Sequence, residues 1–130
     1  MLNSFLCARG NGSDDECSVT VDPMELDTAC GHAVFAKNGA APTYVIRDGT
    51  VYKLRSRSLP LGILHDSATQ FLRFRMHPGD VVVMVSDGVT LENDECPWLL
   101  DLLSAPLPDS MDSLRLDILR RAMASASPDD

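Results

Sequence analysis

Alternation of apolar and polar residues predicts a series of β-strands in the N-terminal part of the chain. Residues 19–26 alternate on a register that shifts at Pro23, which predicts a strand with a bulge or an edge position at the proline. A turn over residues 28–31 then leads to a strand at residues 32–36. Residues 70–76 also alternate, and they predict a strand with one wetter face.

A β-hairpin is predicted between Tyr44 and Leu54. Its two apolar segments flank the dipeptide Asp48-Gly49, and these residue types supply the positive φ angles of a type I′ turn. We therefore expect two antiparallel strands that turn at this dipeptide.

The most apolar segment of the chain runs from Val81 to Val85. It follows the turn sequence of residues 77–80 and contains no polar residue. We expect it to form a central strand that is buried on both faces.

After Asp87-Gly88 the pattern becomes helical, first at residues 97–103 and then at residues 110–123. In the second helix we expect Asp109 to cap the N-terminus and Asp117 to pair with Arg121. Antiparallel strands followed by helices predict an α+β fold rather than a series of βαβ units.

Charge and hydropathy limit the partners. The chain has 130 residues, of which 45% are hydrophobic, and a formal net charge of -8. No cluster of Lys and Arg could neutralise a run of phosphates, so we expect no nucleic-acid partner. The longest apolar segment is too short to span a bilayer, which predicts a cytoplasmic location for this part, although the parent protein could be attached to a membrane.

Four cysteines occur, at Cys7, Cys17, Cys30 and Cys96. They form no C-x-x-C pair and lack a neighbouring histidine at the spacing of a zinc site. Reduced structural thiols are the favoured interpretation, and two disulfides in a secreted protein are the alternative.

Asp87 is the first candidate for a metal ligand. The apolar strand before it would present its carboxylate rigidly, and Gly88 beside it would leave room for metal-bound water. Oxygen ligands of this kind suit hard cations such as magnesium or manganese. The alternative is an aspartate that starts a turn or caps the following helix.

Four segments, in this order, resemble phosphatases of the stage II sporulation protein E type, which belong to the PPM superfamily. They are residues 21–27 (VDPMELD), 36–42 (AKNGAAP), 59–64 (LPLGIL) and 79–88 (GDVVVMVSDG). The resemblance implies a β-sandwich flanked by helices, with a two-metal centre at one end. It also implies that residues 1–130 are the C-terminal portion of one such domain, truncated at both ends.

By this resemblance Asp87 is the metal-binding aspartate of the Ser-Asp-Gly motif. Asp129 matches the first aspartate of a closing Asp-Asp-Met-Thr motif, and it would be a second ligand for Mn²⁺ or Mg²⁺. The family also has an upstream Asp-Gly motif that bridges both metals, and residues 1–17 contain no substitute for it. We therefore expect this chain alone to be inactive.

The resemblance implies a parent protein that removes phosphate from serine or threonine of a phosphorylated regulatory protein, such as a small anti-anti-sigma factor. The alternative is a non-catalytic module that binds protein through the same scaffold. An exposed strand edge could also pair two copies into a homodimer.

Overall fold

The computed structural model describes residue 2 and residues 19–56, 69–91 and 95–126. These residues form two antiparallel three-stranded sheets followed by helices, which confirms the predicted α+β class. In chain order the elements are β1 (Met24–Leu26), β2 (His32–Lys37), β3 (Thr43–Arg47), β4 (Thr50–Leu54), β5 (Gln70–Arg75), β6 (Val81–Met84), α1 (Asp87–Thr90), α2 (Pro97–Ser104) and α3 (Met111–Ala126).

The chain divides into two compact units. The first comprises residues 1–40 and 55–78, and the second comprises residues 41–54 and 79–130. The first unit contains a sheet of order β1-β2-β5, and the second contains a sheet of order β4-β3-β6 with helices α1 to α3.

Pro23 interrupts the first strand segment, as predicted. Before it, Val21 forms a separate antiparallel bridge with Asn38, with N–O distances of 3.2 and 2.8 Å. Proline has no N–H to donate, but the Pro23 carbonyl accepts a hydrogen bond from the Ala36 amide at 3.0 Å. In the described sheet β1 lies at the edge, which is where a strand next to proline is tolerated.

The predicted turn between β1 and β2 is held by the Asp27 side chain. Its Oδ1 accepts a hydrogen bond from the Ala29 amide at 2.9 Å, and this bond lowers the pKa of the carboxyl. Gly31 ends the turn with φ of 80°, and a Cβ there would clash with the carbonyl oxygen of Met76. Glycine is therefore required both by conformation and by space.

Strand β5 has the predicted wetter face. Leu72 and Phe74 are half-buried, whereas Phe71, Arg73 and Arg75 on the opposite face are exposed. Phe71 lies among these polar residues with 60% of its surface exposed.

The β3–β4 hairpin is confirmed in its predicted place. Its register pairs Thr43 with Leu54 and Arg47 with Thr50. The turn residues Asp48 and Gly49 have φ angles of 49° and 78°. Both are positive, as a type I′ turn requires.

Strand β6 differs from its prediction. We expected a central strand buried on both faces, but among the described residues β6 pairs only with β3, and only Val83 within it is buried. The central strand is β3, whose residues 43–46 are all buried. The tight turn places β4 on one edge of β3 and leaves the other edge for β6. The hairpin therefore determines which strand is central in this sheet, and the apolar content of a strand alone does not reveal this.

Helices α2 and α3 confirm the two predicted helical segments. Pro97 occupies the first turn of α2, where its missing N–H costs nothing. Both helices bury apolar residues in one cluster with the sheet of the second unit, formed by Tyr44, Ile46, Val83, Cys96, Leu99, Leu103, Leu114 and Ile118. No helix in the described part of the chain has the length and apolar character needed to cross a membrane.

The N-terminus of α3 is capped differently from our expectation. Ser110, rather than Asp109, precedes the helix, and its Oγ accepts a hydrogen bond from the Asp112 amide at 3.2 Å. Its carbonyl also accepts the first intrahelical bond, from Leu114. A serine in this position satisfies one of the otherwise unpaired amides of the first turn.

The expected pair of Asp117 with Arg121 is also wrong. Asp117 lies 3.8 Å from Arg120, one residue earlier. The Arg121 guanidinium instead lies over the Trp98 ring, 5.9 Å from its centroid. The cation–π contact joins α3 to α2 and takes this arginine away from the aspartate.

A two-bond ion pair joins the end of β3 to the start of β6. Arg47 donates from Nε to Asp80 Oδ1 at 2.9 Å and from Nη2 to Oδ2 at 2.6 Å. These bonds raise the pKa of Arg47, and its guanidinium also lies 5.6 Å from the centroid of the Tyr52 ring. The Asp80 side chain is only 2% exposed and has therefore lost most of its hydration. The two bonds from Arg47 compensate for this loss.

Two cysteines lie in the described residues, and both are free thiols. Cys30 is exposed in the β1–β2 turn, whereas Cys96 is buried before α2. Cys7 and Cys17 lie outside the described residues.

We predict that Gly49→Ala destabilises the chain by about 1 kcal/mol, because an L-residue is strained at this positive φ. A Cβ at this position meets no atom, so the cost is purely conformational. Urea denaturation measures it. Asp48→Asn is the control and should be nearly neutral, since asparagine tolerates the same region. Equal stability of Gly49→Ala and the unchanged chain would contradict the observed turn.

We also predict that Asp80→Ala lowers the free energy of unfolding by about 2 kcal/mol, because it leaves Arg47 without its bidentate acceptor. The matched control is Asp112→Ala, which removes an exposed carboxylate 2.8 Å from Arg115. This surface pair should contribute less than about 0.5 kcal/mol. Similar losses for the two variants would show that the Arg47 pair does not behave as a buried one.

Candidate metal site

Asp87 begins a helix instead of ending a strand. The sequence predicted it at the end of a central strand, but β6 stops at Met84 and Asp87 is the first residue of α1. The β3–β6 ladder ends at the pair of Thr43 with Met84, because β3 itself begins just after Pro42. Val85 and Ser86 then leave the sheet, with Ser86 extended at φ -88° and ψ 167°. The alternative considered above, an aspartate that starts a turn or caps the following helix, is closer to this backbone, although the N-cap residue is Ser86 rather than Asp87.

The Asp87 carboxylate is exposed on this short helix. The Asp87 carbonyl accepts a hydrogen bond from the Leu91 amide at 2.7 Å, and Leu91 ends the helix in the left-handed conformation. Within the described part of the chain, the Asp87 side chain forms no ion pair. A carboxylate in this situation is accessible to a hard cation from solvent.

The described residues do not assemble a complete metal site. Among them, no three His, Cys, Asp or Glu side chains lie close enough to hold one ion together. Asp129, the second expected ligand, lies outside the described residues, as does the LPLGIL segment at residues 59–64. The ligand roles of Asp87 and Asp129 therefore stay predictions.

Sequence reasoning missed a buried ion pair in the first unit. The Lys37 side chain is fully buried at the end of β2, and its Nζ lies 2.8 Å from Asp22 Oδ1. The available signal was a lysine that follows four apolar residues at the end of the strand HAVFAK. Because a charged group is rarely buried without a counter-charge, that lysine predicts a carboxylate nearby.

Asn38, the next residue after Lys37, is a second buried polar side chain. Its Oδ1 accepts a hydrogen bond from Thr69 Oγ1 at 3.0 Å. Its Nδ2 has no acceptor among the described residues. A buried amide without a partner is costly, and an ordered water could satisfy it. The AKNGAAP segment is thus anchored by polar contacts, which its composition did not predict.

Two solved structures with this fold are phosphatase domains. The PP2C phosphatase domain of SpoIIE from Bacillus subtilis, solved with a fragment of its regulatory domain, matches 94% of this chain with a TM-score of 0.78 and 23% identity. The phosphatase domain of the same protein, presoaked with Mn, matches 98% of this chain with a TM-score of 0.70 and 20% identity. The fold is that of a PP2C-type phosphatase domain.

The sequence identifies the family. The sequence model described as "Stage II sporulation protein E (SpoIIE)" matches residues 1–130. Stage II sporulation protein E of Bacillus subtilis (strain 168) is 30% identical over 88 residues, which are 68% of this chain. The chain therefore belongs to the stage II sporulation protein E family, which confirms the resemblance noted in its motifs. It spans 10% of that relative, and 36% and 60% of the two solved chains.

We predict that Asp87→Asn changes the free energy of unfolding by less than about 0.5 kcal/mol, because the carboxylate is exposed and only a short helix begins there. Asp22→Asn is the comparison, and it should cost about 2 kcal/mol by leaving Lys37 buried with a weakened partner. Both are measured by urea denaturation without added metal. If Asp87→Asn were as costly as Asp22→Asn, Asp87 would have a structural role.

Proposed function

We propose that this chain is part of a metal-dependent phosphatase that hydrolyses phosphoserine or phosphothreonine in a regulatory protein. The observation that carries the proposal is the exposed Asp87 carboxylate within the Ser-Asp-Gly segment of a SpoIIE-family chain. The PP2C-type fold supports it, because two solved chains with this fold are phosphatase domains.

Manganese or magnesium is the cofactor that we propose for the parent protein. The carboxylate of Asp87 offers oxygen ligands, which is the ligand type that both cations prefer. The described residues supply too few ligands for a complete site, since no three His, Cys, Asp or Glu side chains among them lie close enough to hold one ion. We propose Asp129 as a further ligand, from its match to the closing motif of the family.

A two-metal centre supplies Lewis-acid polarisation of a phosphate ester and a water of lowered pKa. In this chain the contribution that we assign to Asp87 is to hold a cation through its carboxylate. Since a single carboxylate binds a divalent cation weakly, we propose that residues 1–130 alone do not catalyse the reaction.

The proposed substrate is a phosphorylated regulatory protein of the anti-anti-sigma type, and the proposed location of this part is the cytoplasm. Both come from the family resemblance. The net charge of -8 is compatible with a protein substrate, since repulsion between surface charges more than about 10 Å apart is largely screened at ordinary ionic strength.

A non-catalytic interaction module is the rival proposal. It is favoured by one observation: the described residues contain no cluster of three metal-ligating side chains. A protein of this kind would keep the fold and bind its partner without metal.

We predict that the complete parent protein hydrolyses p-nitrophenyl phosphate with millimolar Mn²⁺, and that Asp87→Ala reduces its rate about 100-fold or more. A metal ligand contributes several kcal/mol of transition-state stabilisation, and each 1.4 kcal/mol corresponds to about a factor of ten. Absorbance of released p-nitrophenolate measures the rate, and residues 1–130 alone should give none.

Asp101→Ala is the matched control, since Asp101 is an exposed acid on α2 of the same unit. Its rate should equal that of the unchanged protein. A folded parent without Mn²⁺-dependent hydrolysis would favour the interaction module. Turnover by residues 1–130 at the parent's rate would contradict our account of an incomplete site.

A further inference from the structure

Helix α1, which begins at Asp87, has little intrinsic tendency to form. It is a single turn, and an isolated turn of helix is unstable in water. After Asp87 it contains Gly88, Val89 and Thr90, and all three residue types have low helix propensity. Ser86, the residue before the helix, forms no side-chain capping bond. Contacts of α1 with its surroundings must therefore hold this turn together.

The end of α1 is also unfavourable on its own. Leu91 follows the helix in the left-handed conformation, with φ of 50° and ψ of 46°. Glycine is the usual residue in this conformation, because a Cβ is sterically disfavoured there. The Leu91 amide nevertheless donates a hydrogen bond to the Asp87 carbonyl at 2.7 Å. The turn is thus closed at a residue that does not favour closing it.

Thr90 is the buried residue of α1, with 4% of its surface exposed. Its Oγ1 donates a hydrogen bond to the Asp87 carbonyl oxygen at 3.4 Å. This oxygen therefore accepts two bonds, one from the Thr90 hydroxyl and one from the Leu91 amide. The hydroxyl bond is long, but water cannot readily replace it at a buried side chain.

Packing holds the same end of the turn. Val89 packs against the apolar cluster that α2 and α3 form with the sheet of the second unit. Apolar packing of Val89 places the turn beside the cluster but forms no bond to Asp87. The Thr90 hydroxyl supplies that bond, so it connects the buried end of α1 to the exposed residue at its start.

We propose that Thr90 is a positioning residue for Asp87, whose backbone it ties to the buried end of α1 through its hydroxyl. The inference rests on the proposed function, in which the Asp87 carboxylate is a metal ligand. A ligand whose backbone is already fixed loses less conformational entropy when it binds an ion, so it binds the ion more tightly. Thr90 acts through Asp87 and does not itself contact the ion.

The first test is the hydrogen-exchange rate of the Leu91 amide in the 130-residue chain, measured by NMR. Thr90→Val replaces the hydroxyl by a methyl group of similar size, whereas Thr90→Ser keeps the hydroxyl. We expect exchange to be about five-fold faster in Thr90→Val, as for the loss of one weak hydrogen bond, and nearly unchanged in Thr90→Ser.

Ile46→Val is the control for a general loss of stability. Ile46 is buried in β3 and pairs with Val81, at the opposite end of the β3–β6 ladder from Met84. Removing one methyl group there lowers stability but touches no bond of α1. The Leu91 exchange rate should therefore be the same as in the unchanged chain.

The second test is Mn²⁺ binding by the complete parent protein, followed through the EPR signal of the free ion. Thr90→Val should weaken binding about five-fold, and Thr90→Ser should keep most of the affinity. Asp87→Ala should weaken binding at least about ten-fold, because it removes the ligand itself. Ile46→Val should bind Mn²⁺ as the unchanged protein does.

Equal Leu91 exchange in Thr90→Val and the unchanged chain would overturn the inference, and so would Thr90→Ser exchange as fast as that of Thr90→Val. Mn²⁺ binding that responds to Asp87→Ala but not to Thr90→Val would also overturn it, and would leave the proposed function intact. Binding that Asp87→Ala leaves unchanged would overturn the ligand role in the proposed function, and Leu91 exchange would then decide the positioning role alone. If Thr90→Val does not fold, Thr90→Ala takes its place with the same expected results.

Discussion

Strand β3 buries four consecutive residues, and the arrangement of the second unit follows from this burial. A strand with both faces covered must also have both edges paired, since an unpaired backbone amide away from water is costly. The hairpin provides β4 for one edge, and β6 provides the other. On one face, Tyr44 and Ile46 form the apolar surface on which Leu99 and Ile118 of the helices pack. The position of α1, and with it Asp87, is thus determined by where β3 begins.

The sequence predicted those elements whose signals are local. The hairpin followed from Asp48-Gly49, and both longer helices followed from apolar periodicity. The prediction of β6 as the central strand failed because an apolar run reports hydrophobicity, whereas the order of strands depends on which neighbours a turn connects. The predictions of the α3 cap and of the partner of Asp117 were each wrong by one residue. Neighbouring residues offer similar chemistry at such positions, and contacts such as that of Arg121 with Trp98 decide between them.

The candidate site was predictable in chemistry but not in position. The Ser-Asp-Gly segment indicated an accessible carboxylate, and Asp87 is accessible. Its place at a helix start could not be read from the run before it, because the ladder ends where Met84 pairs with Thr43, in another part of the chain. The partner of Lys37 could not be identified for a related reason. Asp22 and Lys37 are 15 positions apart, and only the sheet brings them together.

The same pair has a consequence for the history of the family. A fully buried lysine without its aspartate loses a nearby opposite charge, and the half-buried aspartate without its lysine does the same, so either single replacement is selected against. An apolar pair of similar volume would be tolerated at both positions at once. Positions 22 and 37 should therefore vary together among relatives. Most relatives should have either an acid with a base or two uncharged residues there, and few should have one charged and one uncharged residue.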